Sequence, residues 1–102
     1  MKVKFKSWLC NLRWGQYGHG KPAITLIDDK TGEPVAVASI NLQDYPEHKL
    51  PPNHIHIKDY SENKGMVDAL VEAGVVEEIQ SFGIGRHSVK CTLCKLLIEV
   101  ER

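Results

Sequence analysis

Short apolar runs, cut apart by clusters of glycine, proline and aspartate, constrain this chain more than any other feature. Apolar stretches near 3–14, 23–27, 35–42, 54–58, 76–82 and 87–100 are separated by Gly15, Gly18, Gly20 and Pro22, by Asp28-Asp29-Lys30-Thr31-Gly32, by Pro46, Pro51 and Pro52, and by Gly83 and Gly85. Runs of this size, bounded by turn formers and rich in β-branched and aromatic residues, read as strands. The first reads as one long or bent strand, because Val3, Phe5 and the segment from Trp8 to Leu12 continue into one another without a glycine or proline. The aspartate-to-glycine stretch has the chemistry of a short hairpin loop. Pro34 opens the strand that follows, and residues 35–42 are apolar enough on both alternating faces to lie centrally in the sheet.

One segment has a different period. Met66, Val67, Leu70 and Val71 fall on one side of a helix and Asp68 and Glu72 on the other. Asp59 or Ser61 is placed to cap its start, Ala73 is its last residue, and Gly74 stands where a left-handed residue ends a helix, with Val75 making the accompanying apolar contact. The element order is therefore β-β-β-β-α-β-β. The fold class expected is α+β, an antiparallel sheet of about five to six strands with one short helix packed on it.

The 102 residues suffice for one core, so residues 1–102 are read as a single domain. A hydrophobic fraction of 42% with 25% charged residues excludes a disordered chain. Thirteen basic residues balance thirteen acidic ones, which gives no field to steer the protein to nucleic acid and excludes an acidic DNA mimic. Lys2, Lys4 and Lys6 alternate on the first strand and read as a solvated face. The charged opening, and the interruption by Asn11 and Arg13, argue against a signal peptide or membrane span. Three cysteines in such a chain suit free thiols in a cytoplasmic location.

Four constellations bear on chemistry. Gly15-Gln16-Tyr17-Gly18-His19-Gly20-Lys21 has the spacing of a phosphate-binding loop, but Pro22 stands where a magnesium-ligating hydroxyl belongs and a strand follows instead of a helix. Cys91 and Cys94 have the spacing of half a zinc site, with His54, His56 and His87 as further candidates; residues three apart on a strand, however, point to opposite faces. His54 and His56 share a strand face, a spacing usable for metal ligation or for a pH response near neutral, although a pair of half-exposed histidines on a short edge strand is the commoner case. No nucleophile sits in a recognisable strained turn beside a base, so no catalytic residue and no cofactor is assigned and no enzyme activity is expected. The fourth is Ile57-Lys58-Asp59-Tyr60-Ser61-Glu62-Asn63-Lys64-Gly65-Met66, where a strand end and a helix start bring polar and aromatic side chains together. Lys58, Tyr60 and Lys64 could surround an anion there, while Asp59 and Glu62 compete for the same amides.

That last stretch resembles a motif of an uncharacterised domain-of-unknown-function family of small bacterial proteins carried by phages, plasmids and other mobile elements. Trp14-Gly15-Gln16-Tyr17, Leu26-Ile27-Asp28, Gly32 to Ala38, Asn41-Leu42 and Glu72 to Val76 are similar to the same family, so the resemblance spans roughly residues 1–76. It implies a mobile-element setting and no established activity. The expectation is a non-enzymatic cytoplasmic binding protein that inhibits a host defence or regulatory protein, with Trp14, Tyr17 and Tyr60 as partner anchors beside Lys58, Asp59, Ser61, Glu62, Asn63 and Lys64. Two alternatives stay open: a small-molecule or nucleotide-signal binder that takes a phosphorylated ligand at 58–65, and a zinc-binding protein. A homodimer through a sheet edge is compatible with either.

Overall fold

The computed structural model describes residues 2–18 and 20–98. Its strands are β1 (Lys2–Phe5), β2 (Trp8–Gln16), β3 (Pro22–Asp28), β4 (Pro34–Val37), β5 (His54–Lys58), β6 (Val76–Ile84) and β7 (Val89–Leu96); the helix α1 (Met66–Glu72) lies between β5 and β6. The α+β class holds, with seven strands in two antiparallel sheets ordered β1-β2-β3-β4 and β5-β7-β6.

The additional strand comes from the amino-terminal run, which is a hairpin and not one bent strand. Phe5 pairs with Trp8 across a two-residue turn in which Lys6 takes φ 54°. Glycine or asparagine usually occupies such a left-handed position, so nothing in the residue types announced the turn. The Lys6 Nζ donates to the Glu62 carbonyl at 2.7 Å, which ties the turn to a distant segment. Lys2 and Lys4 face outward while Val3 and Phe5 are buried. Lys2 is also engaged, pairing with Asp29 and donating to Asn11 Oδ1 at 2.7 Å.

The Asp28 to Gly32 loop forms as its composition dictates. Asp28 Oδ1 accepts from the Lys30 amide at 2.8 Å, and Gly32 takes φ 75°. Beyond it, β4 is the edge of the first sheet, with Val37 45% exposed, and not a central strand. The central position belongs to the next three residues. The Ala38 amide donates to the Ile24 carbonyl, Ser39 bridges Ile57, and the Ala38 carbonyl accepts from Lys58 at 3.0 Å, so residues 38–40 stitch β3 to β5 and join the two sheets.

The helix starts later than its periodicity suggests. A 3-10 turn over Ser61–Asn63 comes first, Gly65 turns left-handed at φ 92°, and α1 begins at Met66. Its end is as expected: the Gly74 amide donates to Val71 and the Val75 amide to Leu70, a Schellman arrangement with Val75 fully buried. Met66, Val67, Ala69 and Leu70 form the buried face, whereas Val71 is 42% exposed. The closing hairpin forms with Ile84 opposite Val89 and left-handed residues at Gly85 and Ser88. Residues 99 and 100 of its expected second arm lie outside the described residues.

One core cluster, including Val3, Ile24, Leu26, Ile57, Leu70 and Cys94, lies between the first sheet, α1 and one face of the second sheet. A smaller cluster of Leu42, Ile84 and Cys91, with Ile40, Tyr45, Tyr60, Phe82 and Val89 against it, lies on the other face. The second sheet is thus covered on both sides, by the helix and by the 43–53 loop. No helix among the described residues is long and apolar enough to cross a membrane.

Candidate functional site

The polar stretch at 57–66 is a knot of internal hydrogen bonds. Buried Asp59 accepts from the Gly65 amide at 2.7 Å through Oδ1 and from the Val67 amide at 3.3 Å through Oδ2. Its carboxylate thus holds the amides that an anion would need. Asn63 is also buried, and its Nδ2 donates to the Val37 carbonyl at 2.7 Å, fastening the segment to β4. The Glu62 carbonyl accepts from Lys6, the Asn63 amide donates to Tyr60 and the Lys64 amide to Ser61. Tyr60 packs on the smaller cluster, Lys58 is half-buried, and Ser61, Glu62 and Lys64 are exposed. These residues are brought together, but as a splice between β5, β4 and α1.

The cysteines and histidines do not converge. Cys91 belongs to the smaller cluster and Cys94 to the main core, on opposite faces of β7. Burial pushes their thiols up to about 11 and about 12 respectively, and raises that of Cys10 as well. All three stay protonated and weakly nucleophilic at neutral pH. His54 Nδ1 lies 2.8 Å from the Pro52 carbonyl, and His87 is exposed in the β6–β7 turn. No group of three or more His, Cys, Asp or Glu side chains suited to a metal occurs among the described residues.

The glycine-rich stretch before β3 is a hairpin turn. The Tyr17 amide donates to Lys21 and the Gly20 amide to Tyr17, and the strand β3 follows. His19 of this stretch lies outside the described residues. Trp14 packs half-buried against the main core. Tyr17 behaves differently: its hydroxyl lies 3.0 Å from Ser39 Oγ, which itself accepts from the Ile24 amide, so the ring is pinned to the seam between the sheets.

Tyr17 also forms one wall of a pocket of about 380 Å3. Tyr17, Lys21 and Pro22 with residues 40–43 make its sides, Tyr45, Pro46, His48, Lys49 and Leu50 cover it, and His56 of β5 forms its floor. The size falls at the lower end of the roughly 300–1,000 Å3 usual for small-molecule sites. The covering segment is built by two successive turns, in which the Tyr45 amide donates to Leu42 and the His48 amide to Tyr45, both at 2.9 Å. The His48 ring then stacks on Phe82 of β6 with centroids 4.2 Å apart.

His56 is 4% exposed, and neither ring nitrogen hydrogen-bonds another described residue. Phe82 meets the ring edge-on at 5.7 Å. Burial, helped by the charge that His48 can carry, pushes its pKa down to about 4, so the imidazole is neutral near pH 7 with one donor and one acceptor. Among the described residues Lys21 and Lys49 are the only permanently charged side chains lining the pocket, and no carboxylate lines it.

Tyr45, His48, Lys49 and Leu50 were missed as site residues, although a signal was present. The 43–53 segment interleaves prolines with Tyr45, His48 and Leu50, a composition that covers a surface, where a simple linker would carry glycine and serine. Comparison of the chain with protein-family models, with curated proteins and with solved structures gave no match.

Proposed function

We propose that this is a non-enzymatic binding protein and that the pocket beneath the 43–53 loop is its ligand site. The observation that carries this reading is His56, a nearly fully buried polar side chain at the floor of an apolar pocket, with its ring nitrogens unengaged by described neighbours. Apolar walls with a few convergent polar groups are the usual make-up of a small-molecule site.

The test is a titration of the isotopically labelled protein with a library of small aromatic compounds, followed by NMR. Perturbed resonances should cluster at residues 40–43, 45–50 and 56. Perturbations confined to other surfaces, or none, would reject the pocket as the site.

A second reading keeps the protein partner, in the phage or mobile-element setting that the family resemblance implies. Trp8 and Leu9 of β2 favour it, since they are 41% and 48% exposed and leave one apolar side chain on each face of that strand's first residues. Host-lysate capture that survives Trp8→Ala with Leu9→Ser would remove them from consideration.

A further inference from the structure

We propose that the pocket takes a small amphiphilic anion, an apolar body seated among Ile40, Leu42, Tyr45 and Leu50 with one carboxylate held at the rim by Lys49. This rests on the reading of the pocket as the binding site and adds the chemistry of what enters it.

Lys49 brings an ammonium to the lining and, among the described residues, no carboxylate lines the pocket, so a charged end of a ligand is favoured there only if it is negative. Glu47, two residues before Lys49, does not line this pocket. Its side chain lines the adjoining smaller cavity instead, with Oε1 4.0 Å from His48 Nε2. Lys49 is exposed, so its ammonium can follow a carboxylate at the mouth without giving up a buried partner. The floor group fits the same ligand. Neutral His56 can donate one hydrogen bond and accept one, which suits a polar atom on an otherwise apolar body and gives no reward to a second deeply buried charge.

The two ends of the site thus ask for different chemistry, and a matched series separates them. Naphthoate, naphthamide and naphthylmethylammonium share one ring system and differ in the charge of one substituent. In NMR titrations of the full chain, naphthoate should bind roughly tenfold tighter than the ammonium compound, with the amide between them. Lys49→Glu, a change at an exposed position, should bring that ratio close to unity while leaving the amide's affinity within about twofold. Equal affinities across the series in the wild-type protein, with shifts at residues 40–43, 45–50 and 56, would overturn the anion and leave the pocket standing. A preference for naphthoate that Lys49→Glu does not change would also overturn it. Failure of all three compounds to shift those resonances would reject the anion and the pocket together.

Discussion

The segments 57–66 and 43–53 are both polar connections flanking β5, yet they use their polar groups in opposite ways. In the first, the carboxylate of Asp59 is spent on the Gly65 and Val67 amides, the side-chain amide of Asn63 on the Val37 carbonyl and the carbonyl of Glu62 on the Lys6 ammonium. In the second, the backbone closes two turns on its own and leaves side chains of Tyr45, His48 and Lys49 to line a pocket over His56. The more conspicuous motif is the more self-satisfied. A dense run of polar residues marks a ligand site only where the fold leaves those groups without partners of its own.

Substitutions can break this contrast, and the largest effect belongs to Asp59. Asp59→Ala leaves two amides at the start of α1 without their acceptor and should cost about 3 kcal/mol, on the order of 15 °C in Tm by calorimetry. Asn at this position keeps one acceptor and should cost about half as much. If Asp59→Ala were neutral in stability but abolished ligand binding, the contrast would be inverted.

The next effect is a pH dependence that belongs to the other region. The folded pKa of His56, about 4, lies below the ordinary value of 6.5, so the unfolded chain binds the proton more readily. Stability is therefore full above about pH 6.5 and falls as pH drops toward 4, with about 2 kcal/mol lost at pH 5. Urea titrations at pH 7 and pH 5 measure this. His56→Phe should flatten the profile between those values, and an unchanged slope would place the titrating group elsewhere.

Asn63→Ala should cost about 1–2 kcal/mol, because it leaves the Val37 carbonyl without its partner. The smallest effect sharpens the comparison most. Lys64→Ala, at an exposed position of the knot, should change stability by less than about 0.5 kcal/mol and leave naphthoate binding unaltered. Weakened naphthoate binding in Lys64→Ala, measured beside Lys49→Glu, would move the anion site back to 57–66.

Much of the local structure was legible from residue types. The Asp28 to Gly32 loop, the stop at Gly74 with Val75 behind it, and the β6–β7 hairpin each depend on residues within a few positions of one another, where turn chemistry and side-chain period decide the outcome. The opposed directions of Cys91 and Cys94 follow from strand geometry in the same way. The Lys6 turn was not legible, because a lysine holds φ 54° there while its ammonium meets a carbonyl from 56 residues further on. The edge position of β4 was hidden too, since apolar composition at 35–42 marks burial without saying which sheet supplies the cover.

The 57–66 motif stood out for a physical reason that has little to do with ligands. A chain that must leave a strand, form a 3-10 turn, go left-handed at Gly65 and start a helix needs special residues at nearly every step. Residue types and spacing by themselves determined the fold class, the glycine- and aspartate-marked turns and the opposed directions of Cys91 and Cys94. Only the tertiary structure decided where a pocket lies, because the pocket is formed by Tyr17, Lys21 and Pro22, the seam at 40–43, the cover from Tyr45 to Leu50 and His56. No local pattern encodes the meeting of four such segments; the packing of both sheets around the seam does.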